Sequence, residues 1–206
     1  MSRLKPPALI SAIVYDDGLR ITPVIDRIAS RLSAEGLRLA GLIQRDVARP
    51  GRSRCDMLLE DLATGETVAI SQDRGEGARG CRLDVEALMS AVARTSGALE
   101  RGPDLLIVNK FGKTECEGGG CRGLIVEAVE RELPVLVAVP VGNLESWRLF
   151  AGEFAAEYRF DDLPAEAADL CRSLGLWRAR SAGNEAPSTP RTRTSDVLHE
   201  QAHEMR

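Results

Sequence analysis

The sequence contains no apolar run near the ~20 residues needed to cross a bilayer. Residues Met1 to Pro7 hold no signal-peptide core. The expectation is a cytoplasmic protein without a membrane partner. A surplus of positive charge is also missing: 27 Lys and Arg stand against 31 Asp and Glu, a net charge of -4. A mildly acidic chain makes a poor general nucleic-acid binder, because the phosphate backbone demands a basic surface. Aromatic residues are only 4% of the chain, so its core must be built from Leu, Val, Ile and Ala. The five cysteines (Cys55, Cys81, Cys116, Cys121 and Cys171) include no Cys-x-x-Cys pair, and free thiols are expected in a reducing compartment. The two histidines, His199 and His203, fall near the C-terminus. That leaves the rest of the chain without a Ser–His pairing or a strong zinc pattern.

What is present alternates between strand and helix signals. The run 8–15 (ALISAIVY) is apolar and β-branched, as in a strand covered on both faces. Thr22-Pro23 reads as an N-cap and first helical residue, with Ile25, Ile28 and Leu32 on one stripe and Gly36 ending the helix. A second strand follows at 39–43. The order strand–helix–strand requires a crossover and favours parallel pairing. Residues 55–62 and 66–71, joined by Ala63-Thr64-Gly65, read as an inserted antiparallel hairpin. The glycine-rich stretch 72–82 reads as a long loop. Asp84 is placed as the cap of a helix with the stripe Val85, Leu88, Val92 and Leu99. Buried strands are predicted at 104–108 and 134–139. Asn143 is read as the cap of a helix carrying Trp147, Phe150, Ala151, Phe154 and Tyr158, and a last helix spans 164–174. The expected fold is a three-layer α/β domain over 1–177, with a disordered tail over 178–206 whose composition is too polar to offset ordering entropy.

In open parallel sheets, ligands bind beyond the carboxyl ends of the strands. That rim is expected to gather Asp16, Asp17 and Gly18 from the first strand and Arg45 from the second. Asn109, Lys110, Gly112 and Lys113 come from a later strand. Cations and amides meeting there suit a small anion. The phosphate-loop pattern Gly-x-x-x-x-Gly-Lys-Ser/Thr is absent after the first strand, where Asp16-Asp17-Gly18 stands instead. Asp16 and Asp17 read either as oxygen ligands for Mg²⁺ or as charges favouring a helix start. Cys116 and Cys121 read as plain thiols or as soft-metal ligands, and no metal site is assigned.

Three stretches together resemble one bacterial family, domain of unknown function 2478. They are 55–65 (CDMLLEDLATG), Ser71-Gln72-Asp73 with 79–84 (RGCRLD), and Asn109-Lys110-Phe111-Gly112-Lys113-Thr114-Glu115. The likeness covers roughly residues 8–160. The family in turn resembles the thermophile-type nucleoside triphosphatases, which implies a P-loop-like fold and nucleotide binding. Those enzymes carry Asp-Glu-Ile-Gly-x-Met-Glu after the corresponding strand. Gly112 and Glu115 match that motif, while Asn109 and Lys110 replace its acidic pair. Family members are often associated with molybdate-transport genes, which implies a link to molybdenum handling.

The expected function is therefore a nucleotide- or oxyanion-binding protein with a degenerate phosphate loop. The ligand would be a nucleotide with Mg²⁺, or molybdate. Arg45, Lys110 and Lys113 would supply charge, and Gln72 and Asn109 would orient the ligand. Gly18 and Gly112 would admit close backbone approach, and Arg79 and Arg82 would close over the anion from a lid. Glu115 would position water if hydrolysis occurs. Two alternatives stay open: a non-catalytic adaptor meeting a protein partner through the hairpin or tail, and an unorthodox Mg²⁺-dependent triphosphatase.

Overall fold

The computed structural model describes residues 8–48, 55–72 and 83–176. Among them, seven strands form one sheet in the order β4-β3-β2-β5-β6-β1-β7. β1 (Ile10–Tyr15), β2 (Leu39–Val47), β5 (Leu105–Val108), β6 (Val135–Pro140) and β7 (Ala155–Arg159) run parallel. β3 (Asp56–Asp61) and β4 (Thr67–Ala69) extend the β2 side antiparallel. All β1 and β5 residues are buried, as their unbroken apolar runs require of strands covered on both faces. The three-layer, P-loop-NTPase-like α/β fold expected from sequence is the one observed.

One face of the sheet packs against α1 (Gly18–Ala34) and α6 (Ala167–Ser173), through Ile25, Ile28, Leu32, Leu170 and Leu174. The other carries α2 (Val85–Leu99), α4 (Arg122–Glu130) and α5 (Leu144–Ala151), through Leu88, Val92, Leu124, Ile125 and Trp147. Each fully buried Leu, Ile or Val contributes about 1.5–3 kcal/mol, so these two layers hold the sheet between them. Gly41 is required at its place. Its φ is +131°, and a Cβ there would lie 1.9 Å from the Ile107 carbonyl oxygen on the neighbouring strand. No described helix is long and apolar enough to cross a membrane.

Several local readings change. α1 begins at Gly18, so Pro23 lies inside the helix and Thr22 is not its cap. As the sixth residue of α1, Pro23 lies past the first turn and forfeits one intrahelical hydrogen bond. Asp84 does cap α2, accepting from the Ala87 N–H at 3.0 Å. Asn143 precedes α5 without a capping bond; its Nδ2 donates to the Phe111 carbonyl at 2.8 Å. Residues 155–159, read as the end of a helix, form the edge strand β7, because Gly152 breaks the helix at φ +54°. The inserted antiparallel hairpin is present and joins the sheet: β3 pairs along β2 from Leu42↔Asp61 to Val47↔Asp56. The tail 178–206 lies outside the described residues.

Candidate functional site

A cavity of about 570 Å³ opens on the α2 face, at the carboxyl end of β5. Its apolar wall comes from Leu42 on β2, Met57 and Leu59 on β3, Ile70, and Leu83 and Leu88 at the start of α2. Its polar rim runs through Asn109, Lys110 and the segment from Gly112 to Glu117, with Cys121 behind.

That rim is held by its neighbours. Phe111 is fully buried; its N–H donates to the Ala138 carbonyl at 2.8 Å, and its ring meets Trp147 edge-on at 5.1 Å and stacks on Phe150 at 5.6 Å. A short helix, α3 (Lys113–Cys116), follows at once. Within it Glu115 is 5% exposed, and both its oxygens are engaged: Oε2 accepts from the Gly112 N–H at 2.8 Å and Oε1 from the Cys121 N–H at 2.9 Å. The carboxylate thus ties the β5 loop to the start of α4. Gly120, at φ +59°, must be glycine, since a Cβ would stand 2.0 Å from Oε1 of Glu115. The Cys121 thiol is pushed up by burial first and then by the Glu115 charge and their hydrogen bond, so it stays protonated.

Two rim groups are unmet. Asn109 is 7% exposed, and its Oδ1 finds no hydrogen-bond partner among the described residues. Lys110 is exposed and has no ion pair among them. Lys113 pairs loosely with Glu117 at 3.6 Å in the open, where such a pair contributes about 0–1 kcal/mol.

The structure brings Asn109, Lys110, Gly112, Lys113 and Glu115 into one wall, but not the rest of the expected rim. Arg45 is the main correction. It lies next to Gln44 in β2, and successive strand residues face opposite sides, so Gln44 lines the cavity while Arg45 turns to the α1 side. There its Nη1 meets Asp26 at 2.6 Å and its Nη2 meets Glu60 at 2.6 Å. Burial lowers the Arg45 pKa, but these bonds outweigh it and the net shift is upward. Its charge is fully taken up. Asp16 and Asp17 sit exposed at the end of β1, two strands away from β5, and line no part of the cavity. Gly18 is the first residue of α1 and has ordinary room for a Cβ, its nearest neighbour being Tyr15 at 3.9 Å. Gln72 is described but does not line the cavity. Arg79, Arg82 and the expected lid lie outside the described residues. Glu115, expected to position water, has both oxygens occupied by backbone N–H groups.

A Mg²⁺–triphosphate group does not fit this arrangement. β1 and α1 are joined by Asp16-Asp17 alone, too short for a phosphate cradle, and the carboxylates stay at the surface. Among the described residues no three His, Cys, Asp or Glu side chains gather as a metal site. Sequence reading missed the apolar half of the cavity. Met57 and Leu59, two apart on β3, supply part of it from one face of the strand.

Comparison with known proteins supports the same frame. The crystal structure of THEP1 from the hyperthermophile Aquifex aeolicus superposes with a TM-score of 0.58 at 17% identity, covering 80% of this chain and 98% of that one. Over 146 residues, 71% of this chain, the sequence is 33% identical to the molybdenum import ATP-binding protein ModC 2 of Bradyrhizobium diazoefficiens. The matched stretch spans only 16% of that protein's length. Residues 10–167 match the family described as Protein of unknown function (DUF2478), and this chain belongs to that family.

Proposed function

We propose that this chain is a non-hydrolytic binding domain that keeps a nucleoside-triphosphatase-like scaffold and holds a small organic anion of the nucleotide class in the cavity beside β5. One observation carries the reading. The Lys110 ammonium, unpaired among the described residues, and the orphaned, buried Asn109 oxygen stand together on the rim of a cavity with an aliphatic wall. A buried acceptor left unmet costs about 1–3 kcal/mol, and a ligand that donates to it recovers that loss. The cavity volume also falls in the range of roughly 300–1,000 Å³ typical of small-molecule sites.

Hydrolysis is not part of the proposal. The β1–α1 junction carries no phosphate-loop sequence, Asn109 and Lys110 stand where an acidic pair would hold a metal, and both oxygens of Glu115 are in use. A bare oxyanion such as molybdate is a poor occupant of aliphatic walls with one unpaired ammonium. The relative named for molybdenum import supports molybdenum handling as the setting in which the domain works, as a ligand-responsive part in the cytoplasm. Isothermal titration with ATP, GTP, AMP, GMP, phosphate and molybdate tests the reading. Heat of binding for a nucleotide, lost in Lys110→Ala, is expected. Mg²⁺-dependent phosphate release that Glu115→Gln abolishes would replace it with the triphosphatase reading.

A second reading, an adaptor for a protein partner, draws on a different place. Val141, Leu149 and Phe154 expose apolar side chains near α5, and Leu149 is 84% exposed. Sedimentation of a Leu149→Glu, Phe154→Glu variant beside the wild type tests this surface, and an unchanged association state with every binding partner would set it aside.

A further inference from the structure

The cavity is graded along one direction, and the grading specifies its ligand more narrowly than the binding proposal on which this inference rests. Its innermost residues are aliphatic and buried: Leu42, Leu59, Ile70 and Leu88 are each 7% exposed or less. Asn109 follows at the carboxyl end of β5, buried and with its oxygen unpartnered. Lys110 comes next, exposed and unpaired among the described residues. The order is apolar slot, buried unmet acceptor, then a cation left unpaired among the described residues.

Charge sets the size of the anionic group. The ionisable Lys and Glu residues of the described lining are Lys110, Lys113, Glu115 and Glu117, which sum to zero. Glu117 partly occupies Lys113, and the two N–H groups serve Glu115. Among the described residues, what remains is one ammonium, a point charge that suits one phosphoryl group. A triphosphate would place its outer phosphates near two carboxylates with no metal cluster to neutralise them. Bare phosphate would leave the aliphatic slot empty, and a fatty acid would leave the Asn109 oxygen buried and unmet.

We infer that the cavity takes a nucleoside 5′-monophosphate without a metal ion: the base in the aliphatic slot, a ribose hydroxyl donating to Asn109 Oδ1, and the phosphate on Lys110. No aromatic side chain lines the described walls to stack on one base in preference to another, so adenine and guanine are accommodated alike. Selection falls on the sugar and on the phosphate count.

The test is calorimetric titration of the full chain with AMP, GMP, adenosine, 2′,3′-dideoxy-AMP, Mg²⁺-ATP, decanoate and inorganic phosphate. Alkylation of Cys55, which is exposed and lines the cavity, reports where binding occurs. AMP or GMP is expected to bind and to shield Cys55. Loss of the phosphate, or Lys110→Ala, is expected to weaken binding about 10- to 100-fold, the effect of one charge-assisted hydrogen bond. Removing both ribose hydroxyls is expected to weaken it about tenfold. Because Lys110 is exposed, its alanine variant should melt with the wild type, which separates lost binding from lost folding. Mg²⁺-ATP binding tenfold tighter than AMP, equal affinity for AMP and its dideoxy form, or binding of decanoate alone would overturn this assignment while leaving a ligand-binding domain. No binding of any probe by the folded protein would overturn both.

Discussion

Removing the Glu115 carboxylate should cost stability rather than chemistry, and by an amount the geometry sets. Its two oxygens are the acceptors for the buried N–H groups of Gly112 and Cys121, at 2.8 and 2.9 Å. Hydrogen bonds to a charged acceptor contribute about 1.5–3 kcal/mol each, so Glu115→Ala should lose about 3–6 kcal/mol. A domain of this kind has roughly 5–15 kcal/mol in total. With a urea slope of about 2 kcal/mol/M, the midpoint should fall by roughly 1.5–3 M. Glu115→Gln keeps one acceptor but turns an NH₂ group toward the other N–H, so its loss should be about half as large. Urea unfolding followed by circular dichroism measures both. If Glu115→Ala unfolds within about 0.5 kcal/mol of the wild type, the clamp is not what holds this loop. If Glu115→Gln leaves stability intact and removes a phosphate-releasing activity, the carboxylate is catalytic.

Three further outcomes follow from other places in the fold. Gly41→Ala should destabilise by about 3 kcal/mol or more in the same assay, because β2 and β5 must part to admit a Cβ at 1.9 Å from a carbonyl oxygen; a neutral effect would refute the close approach. In native protein, alkylation should reach Cys55 before Cys116, and should reach the buried Cys121 and Cys171 only on unfolding, as peptide mass mapping would show. Burial raises the Tyr15 phenol from 10.0 to about 12. Its neutral form is the one that folding favours, so this contribution is complete below about pH 10 and disappears as pH rises toward 12; an ultraviolet titration in which every tyrosine ionises near pH 10 in the folded state would contradict it.

Much of the scaffold was legible because buried parallel strands leave continuous apolar runs. β1, β5 and β6 stand out in ALISAIVY, DLLIV and PVLVAV, and Asp84 announced α2 through its capping side chain. Two edges were harder to read. β7 is short, half-exposed and charged, and its spacing also fits a helix face; only Gly152 marked the break. At the site, Asn109, Lys110 and Lys113 were placed together correctly because they share one strand end. Arg45 was misplaced because β2 was ended at Ile43. Once the strand runs to Val47, parity alone puts Gln44 and Arg45 on opposite faces. The Asp26 and Glu60 that absorb its charge lie 19 and 15 residues away, and nothing in their local sequence declares the pairing. The buried role of Glu115 was equally hidden, since a carboxylate that holds two amides looks in one dimension like one that awaits a water.

The link between β1 and α1 limits how this protein could change. Two residues separate the end of the strand from the first helical turn, and Tyr15 closes against the helix from below. A loop that wraps a polyphosphate needs a longer span and successive amides turned inward, which no exchange of one side chain for another supplies. A polyphosphate could be wrapped at this junction only if the chain there were lengthened.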